Sequence, residues 1–380
     1  MRIAITTWFG GPNAGTFFQL YGLYSYLESR GHEVEVVNYT PIKKDSIKRG
    51  LWYFLSQPLA LLKNRRQRQK ASRRMAEINA KYEKEHGIRA ERFKAFYGKM
   101  RFTDKVSSDS DFEKLNEKFD AFIVGSDQVW NPTSLNRRYL LDYAHSDKIK
   151  ASYCPSVGTG CVMRHQLNVF KRYLQDFDYI STRERRLADL LNEELAQNVE
   201  HLLDPSMLIL REDYLAMASL PQGFASNGYV LCYFMPRSEK QEAQVVAYAK
   251  ERGLKIVVMA MLYREYGFAD AVIYPQAGPS EFIGFIANAA AIFTSSFHCT
   301  IFSILLNKDL FVFEGNATSK SADISQRYRE QLETYDMMHR FIRWNEDITE
   351  KNLKPIDYNK VNEIFNRRLE ESKSFLNQFC

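Results

Sequence analysis

The sequence predicts an α/β protein built from two units, each a parallel sheet flanked by helices. The chain opens with a strand, a glycine turn, a helix and a second strand between residues 3 and 39, which is the βαβ pattern of such sheets. The same alternation restarts with a strand at 229–234. A length of 380 residues is too great for one ordinary domain and suits two.

Composition narrows the class of protein. Hydrophobic residues make up 45% of the chain, and the net charge of +6 suits anionic partners without indicating nucleic acid. The 5 cysteines are odd in number and form no CxxC pair, as is usual for reduced thiols in the cytosol. The chain begins directly with a strand and has no window of about 18 uncharged apolar residues. We therefore expect a cytoplasmic protein, either free or peripheral at the inner face of the plasma membrane.

The first element is a strand at 3–7, followed by the glycine turn WFGGPNAG and a helix at 16–30 that Gly31 ends. Glycines in this turn let the backbone approach a ligand, and Asn13 adds a side chain that can donate a hydrogen bond. The turn is not a GxGxxG dinucleotide fingerprint. A tight turn selected only for packing explains it equally well.

Residues 42–101 interrupt the alternation. Basic residues are frequent from 43 to 74, where Asp45 is the only acid, and an apolar, aromatic run lies at 51–62. The simpler interpretation is a solvated helical insertion whose apolar face packs on the domain. The alternative is a surface for an anionic membrane or a lipid-diphosphate substrate. Binding of nucleic acid is a less favoured role for the same positive charge, and we expect no nucleic-acid partner.

Polar side chains follow two predicted buried strands. The strand at 120–127 ends in a Gly-Ser-Asp turn with Asp127, and Trp130 comes shortly after it. The strand at 179–181 is followed by Arg183 just before a helix. Arginine on a surface is unremarkable, but at a strand end its planar fork can hold a carboxylate or phosphate with two bonds.

The stretch 278–313 predicts helix, strand, polar turn, helix and strand, with Ser280 as the expected cap of its first helix. The strands are expected at 290–294 and 310–313, and His298 lies where the first of them passes into the next helix. Ligands of open α/β sheets bind at the carboxyl ends of strands, often against a helix N-terminus. A lone histidine is more often a buried structural residue, so its role depends on the rest of the chain.

Five separated strings resemble the blocks of one family, the polysaccharide pyruvyl transferases, and they occur in that family's order. No single string is decisive, but together they span most of the chain up to residue 313. The strings are GGPNAGTFFQLYGLYSYL, FIVGSDQVWNP, ISTRERR, HLLDPSMLI and the 278–313 segment with its S-F-H centre.

The resemblance implies two Rossmann-like domains facing across a cleft, similar to the GT-B arrangement of glycosyltransferases. We expect an N-terminal acceptor-side domain at 1–210, which includes the basic insertion, a donor-side domain at 211–345 and a helical tail at 346–380. The implied reaction moves a pyruvyl group from phosphoenolpyruvate (PEP) to a sugar of a capsule, exopolysaccharide or lipid-linked precursor, forming a cyclic ketal. PEP is then a co-substrate, and no cofactor is expected.

Such a reaction needs anion clamps, an acid and a base. On the resemblance, Arg183 is the expected clamp on PEP, His298 the phosphate ligand and proton donor, and Asp127 the base or orienting group for the acceptor hydroxyl. The first-domain residues expected to face the acceptor sugar are Asn13, Gly15, Gln19 and Trp130, the last by stacking on a pyranose ring.

The sequence departs from the family pattern near the histidine. Ser296 stands where some members have an arginine, and Cys299 stands where glycine is more usual. Ser296 remains a candidate substrate contact, but a second cation must come from elsewhere. The candidates are Lys308, Lys320 and Arg327.

Two other functions remain open. A GT-B glycosyltransferase would use a nucleotide sugar in the same kind of cleft, although the second half has no clear diphosphate-binding motif. A basic adaptor would bind a membrane or nucleic acid through residues 43–74 and would not need His298 or Arg183. No His, Asp or Glu cluster has convincing metal-ligand spacing, so we expect no metal.

Overall fold

The first six strands of the protein form one parallel sheet. In this computed structural model, the described residues are 1–47, 77, 80–158, 162, 164–233, 239–259, 268, 270–315, 325–348 and 354–380. The strand order is β2-β1-β3-β4-β5-β6. These strands are β1 (Arg2–Thr6), β2 (Glu33–Val36), β3 (Ala121–Val124), β4 (Ile149–Ser152), β5 (Tyr179–Thr182) and β6 (Val199–His201).

The last six strands form a second parallel sheet, in the order β12-β11-β10-β7-β8-β9. Its central strands are buried along their whole length, as expected for a parallel sheet covered on both faces. These strands are β7 (Tyr229–Tyr233), β8 (Lys255–Val258), β9 (Val272–Ile273), β10 (Ala291–Thr294), β11 (Leu310–Phe313) and β12 (Phe341–Ile342).

Helices connect the strands and cover the sheets. The α-helices are α1 (Ala14–Ser29), α2 (Glu83–Tyr97), α3 (Asp109–Lys118), α4 (Arg164–Leu174), α5 (Arg185–Glu194), α6 (Arg211–Met217), α7 (Glu239–Glu251), α8 (Pro279–Asn288), α9 (Phe297–Leu305), α10 (Gln326–Thr334) and α11 (Tyr358–Leu376). Short 3-10 turns lie at Lys43–Asp45, Gln128–Trp130, Arg137–Leu140, Pro205–Met207 and Met338–Arg340. In the described part of the chain, no helix combines the length and the apolar character needed to cross a membrane.

Helix α1 lies between the two sheets. Asn13 caps it, because its Oδ1 accepts the N–H groups of Gly15 at 2.8 Å and Thr16 at 3.2 Å. Gly31 ends it with a φ of +82°, as predicted. Phe18 of α1 packs on Phe302 of α9, with ring centroids 4.8 Å apart. The helix is apolar almost all round because it contacts both domains.

The described part of the insertion also reaches both domains. Phe93 of α2 packs on Phe17 of α1, with ring centroids 5.9 Å apart. Arg92 pairs with Glu281 of α8 at 3.0 Å and donates to the carbonyl of Gln276 at 2.8 Å. Most of the basic run at 43–74 lies outside the described residues, so a membrane contact there stays a prediction.

The segment 278–313 has the predicted order of elements, but its first helix begins differently. Gly278 precedes α8, Pro279 is its first residue, and the Gly278 N–H donates to the Glu281 carboxylate at 3.0 Å. Ser280 therefore lies inside the helix, and its prediction as the cap was wrong. Proline at the first helical position fixes the start two residues earlier.

The C-terminal helix α11 returns to the first domain. Phe375 packs on Tyr153 and Tyr179, and the hydroxyl of Ser372 accepts the N–H of Leu203 at 3.1 Å. The first sheet ends at residue 201 and the second begins at residue 229. The predicted domain limits at 210 and 345 fall between sheet elements and stay predictions.

Candidate active site

Polar side chains from the carboxyl ends of both sheets meet between the domains. Asp127 follows β3, Arg183 follows β5 and Asp204 follows β6 in the first domain. His298 of the second domain lies in the first turn of α9, directly after β10. This is the edge at which open parallel sheets bind ligands.

The centre of this group is the carboxylate of Asp204, which is buried. Its Oδ2 accepts the Arg183 guanidinium and the Ser126 hydroxyl, both at 3.2 Å. Its Oδ1 accepts the Ser206 N–H at 3.0 Å and the Ser206 hydroxyl at 2.7 Å. Burial alone would raise the pKa of Asp204, but the protonated form of His298 and the charge of Arg183 hold it below its ordinary value. Asp204 is therefore a fixed negative charge shared between the two domains.

Arg183 is a buried cation with unsatisfied hydrogen-bond donors. Its Nη1 binds Asp204, whereas its Nε and Nη2 have no hydrogen-bond partner among the described residues. The guanidinium lies over the Phe297 ring, 4.5 Å from the centroid. Burial opposes the charge, but Glu184 and Asp204 outweigh it and raise the pKa of Arg183. Unpaired charged donors are costly inside a protein, so this site is built for an anion.

His298 reaches across from the second domain. Its Nε2 is 3.8 Å from Asp204 Oδ2 and makes no hydrogen bond with the described residues. Its ring rests against Gly15, where an added Cβ would lie 2.4 Å from Nδ1. Burial lowers the pKa of His298 below its ordinary value, although Asp204 acts in the opposite direction. Burial therefore favours the neutral form of the imidazole.

The N-terminus of α9 adds backbone donors to the same place. Ser296 precedes the helix, and its side chain makes no capping bond. The first N–H groups of a helix have no partner inside the helix and carry partial positive charge. An anion beside His298 would satisfy them.

Asp127 follows β3 and has a strained backbone conformation. Its φ is +69° and its ψ is −177°, a region that non-glycine residues rarely adopt. Its Oδ1 accepts the N–H of Gln128 at 2.8 Å, and its Oδ2 accepts the Thr16 hydroxyl at 2.8 Å. The carboxylate is thus fixed in direction while each oxygen keeps a lone pair.

Arg327 of α10 supplies a second cation from the second domain. Burial and, after it, the positive charge of Arg183 lower the pKa of Arg327. Its Nε is buried and has no hydrogen-bond partner in the part of the chain that the structure describes. Of the three predicted replacements for the missing arginine, Lys320 lies outside the described residues.

Lys308, the third of these, is on the wrong edge of the sheet. It lies at the amino end of β11, and its Nζ donates to the carbonyl of Ala287 at the end of α8, at 2.9 Å. The prediction of a substrate contact was wrong, because the strand carries this lysine to the edge opposite His298.

Trp130 and Gln19 are fully buried and do not face a ligand. The Trp130 Nε1 donates to the carbonyl of Tyr139 at 2.8 Å, and the ring packs on Phe170. The Gln19 amide donates to the carbonyls of Trp8 and Thr16. Sugar stacking on Trp130 and an acceptor contact from Gln19 were therefore wrong predictions, since both side chains serve the fold.

Asn13, Gly15 and Ser296 do border the site. Asn13 is exposed at the start of α1, and only its Oδ1 is used by the cap. Gly15 contacts the His298 ring. These positions are compatible with the predicted roles, which stay predictions.

Sequence reasoning missed three charged residues at the site. Glu184 is buried and accepts the hydroxyl of Ser156, and Asp204 anchors both Arg183 and His298. Their positions directly after β5 and β6 were a usable signal. Arg89 of α2 is also buried and donates to the carbonyl of Pro12 at 2.9 Å. It lies in a charged insertion, where nothing in the pattern distinguishes it.

The described residues contain no group of three or more His, Cys, Asp or Glu side chains placed to hold a metal ion. The cations of the site are guanidinium groups, the helix N-terminus and, once protonated, the imidazole. Their arrangement can bind an anion with more than one charged group, transfer a proton at His298 and orient a hydroxyl at Asp127.

Two parallel-sheet domains with a polar cleft define an α/β protein of the GT-B type. UDP-N-acetylglucosamine 2-epimerase from Rickettsia bellii has this fold, with a TM-score of 0.50 and 12% identity, covering 100% of this chain and 96% of its own. The enzyme from Methanocaldococcus jannaschii gives a TM-score of 0.49 and 10% identity, covering 97% and 93%. The E. coli heptosyltransferase WaaC gives a TM-score of 0.40 and 13% identity, covering 97% of this chain and 99% of its own. These similarities concern the fold alone.

The family is shown by the sequence itself. A family model described as polysaccharide pyruvyl transferase matches residues 13–316. The chain belongs to the polysaccharide pyruvyl transferase family, and the fold and family predictions are confirmed. Comparison with the curated proteins finds no match.

Proposed function

We propose that the protein transfers the pyruvyl group of PEP to a sugar of a cell-surface saccharide or its lipid-linked precursor, forming a pyruvate ketal. The observation that carries this proposal is the meeting of Arg183 and His298, from the two domains, on the buried carboxylate of Asp204, with unsatisfied donors on both side chains. PEP has a carboxylate and a phosphate, which is the kind of double anion that such donors fit. Family membership supplies the acceptor class.

The two guanidinium groups would hold the donor. The free Nε and Nη2 edge of Arg183 is the side of a guanidinium that binds a carboxylate with two parallel bonds. Arg327 and the N-terminus of α9 then face the phosphate. A bound dianion would also offset the mutual repulsion of Arg183 and Arg327.

His298 would be the acid. Binding of the PEP dianion beside the neutral imidazole raises the pKa of His298, so the ring takes up a proton. The imidazolium gives that proton to the methylene carbon of PEP, which becomes a methyl group and leaves positive charge at the central carbon. A sugar hydroxyl forms a bond to that carbon, the bond to the phosphate oxygen breaks, and inorganic phosphate leaves.

Asp127 would direct the acceptor. Its carboxylate is fixed by Thr16 and Gln128, and it can accept the proton of the attacking hydroxyl. A second hydroxyl of the same sugar then closes the ketal and loses its proton. The two hydroxyl protons balance the one added to carbon and the one carried away with phosphate.

Calorimetric titration with PEP tests the donor assignment. We expect wild-type protein to bind PEP, and Arg327→Met and His298→Gln to weaken binding at least tenfold, about 1.4 kcal/mol each. Lys308→Met is the matched control, because it removes one positive charge at the opposite edge of the same sheet. Equal affinity in all four proteins, or binding of a UDP-sugar in place of PEP, would contradict the proposal.

A further inference from the structure

A cavity of about 500 Å³ lies beside the candidate site, between the glycine turn at 10–12 and helix α2. Its volume is in the range of small-ligand pockets. The reaction proposed above places no group in it. Because α2 belongs to the insertion at 42–101, this cavity is formed jointly by the insertion and the first βα turn.

One wall of the cavity is aromatic. Phe9 packs on Phe102 with ring centroids 5.1 Å apart. Phe93 and Tyr97 of α2 also line the cavity, and both pack edge-on against Phe17 of α1. Since Phe17 is fully buried in the core, these rings are held in place from behind. The wall is therefore preformed.

Polar groups line the rest of the cavity. The backbone of Asn38 is used by Thr103 and Val106, whereas its side-chain amide makes no hydrogen bond with the described residues. Gly10 and Gly11 line the cavity with their backbone, at φ values of +80° and +71°. An acyl chain would leave the amide and peptide groups without partners. A sugar ring presents a C–H face to aromatic rings and hydroxyl groups to amides, so it matches both parts of the lining.

The cavity adjoins the site on two sides. Thr16 follows the cavity-lining Pro12 by four residues and donates its hydroxyl to Asp127 Oδ2 at 2.8 Å, so the chain that borders the cavity leads to that carboxylate. Pro12 lines the cavity, and the residues that follow it in the chain, from Asn13 to Gly15, lead to His298. A ligand that extends from the cavity therefore emerges beside Asp127.

We propose that this cavity is the acceptor subsite, which holds a sugar ring against Phe9 and Tyr97 and makes α2 the element that selects the acceptor. The assignment rests on the proposed function for the reaction, but sugar binding in the cavity can be measured without turnover.

Saturation-transfer NMR with the methyl glycosides of glucose, galactose, mannose and N-acetylglucosamine is the direct test. Ala90 is exposed on α2 and lines the cavity, so Ala90→Trp fills it without removing core contacts. Ala95→Trp is the matched control, since Ala95 is exposed on the same helix and does not line the cavity. We expect at least one glycoside to receive transfer from wild type and from Ala95→Trp, and a loss of most of that signal in Ala90→Trp.

Each result that would overturn the acceptor subsite can be recognised in these measurements. No signal from any glycoside with wild type, or a signal that Ala90→Trp leaves intact, overturns the acceptor subsite. If octyl glucoside binds and methyl glucoside does not, the cavity holds an acyl chain and the acceptor subsite is overturned. PEP titration of the same three proteins separates the two proposals. If none binds PEP while Ala90→Trp alone loses the sugar, the proposed reaction fails and the sugar site stands.

Discussion

At the scale of single residues, the candidate site contains a buried histidine whose pKa is set by the charges around it. Burial lowers the pKa of His298, and Asp204 at 3.8 Å only partly opposes that effect. Burial and the charge of Arg183 favour the neutral imidazole, because protonation would add a further buried positive charge. An arriving dianion reverses this balance. If the proposed function holds, protonation of His298 is coupled to donor binding.

We therefore predict that PEP binding takes up about one proton per site at a pH slightly above neutral. Titrations in two buffers with different ionisation enthalpies would show an observed binding enthalpy that depends on the buffer. His298→Gln should bind more weakly and lose this dependence, because the glutamine amide cannot titrate. A buffer-independent enthalpy in wild type would show that His298 does not change its protonation state when PEP binds.

Gly15 makes the approach of His298 possible. A Cβ at this position would lie 2.4 Å from Nδ1, a distance at which the imidazole must move. We predict that Gly15→Ala keeps the fold, since alanine favours a helix by about 1 kcal/mol over glycine. Transfer activity should fall roughly a hundredfold, because small displacements of a reacting group are costly.

Gly87→Ala in α2 is the control for this prediction. Its added Cβ has no heavy atom within 4 Å, so it changes helix propensity without a contact. Thermal melts and initial rates of both variants would separate the two effects. Full activity in Gly15→Ala would mean that the observed position of His298 is not needed for the reaction.

At the scale of elements, the sequence pattern predicts positions along strands better than the directions of side chains. Asp127, Arg183 and His298 were chosen because each follows a predicted strand, and parallel strands do bring them together at one edge. Trp130 was chosen by the same rule and lies in the core. Trp130 ends the 3-10 turn at Gln128–Trp130, and its Nε1 donates to the carbonyl of Tyr139 in the core. Such a turn has no sequence periodicity from which the directions of its side chains could be predicted.

The missed residues have two different causes. Asp204 and Glu184 occupy strand ends and could have been selected by the rule that selected Arg183. Arg89 could not, because its role arises when α2 packs beside the glycine turn and brings it to Pro12. Contacts made by an insertion depend on where it docks, and the sequence pattern does not contain that information.

At the scale of the whole molecule, the site exists only while the two domains stay together. His298 and Arg327 come from one domain, and Arg183, Asp204 and Asp127 come from the other. Phe18 of α1 connects the domains, since it is fully buried and packs on Phe282, Phe302 and Tyr214. A single hydrophobic cluster runs through this contact into both sheets.

We predict from this shared core that the protein unfolds in one cooperative transition. Phe18→Ala should cost about 3–5 kcal/mol, as large-to-small changes in a core do, and should separate the melt into two steps because it weakens the contact between the domains. Phe170→Ala is the matched control, since Phe170 is equally buried but packs on Trp130 within the first domain. That variant should lower the melting temperature and keep one transition.

Differential scanning calorimetry with and without PEP would check this prediction. A ligand bound by both domains stabilises the folded state by about 2.7 kcal/mol at a hundred times its dissociation constant, and that stabilisation acts on the joint transition. In Phe18→Ala, PEP should therefore bring the two steps closer together. Two separate transitions in wild type, with PEP shifting only one of them, would mean that the ligand is held by a single domain and that the contacts across the cleft do not contribute to binding.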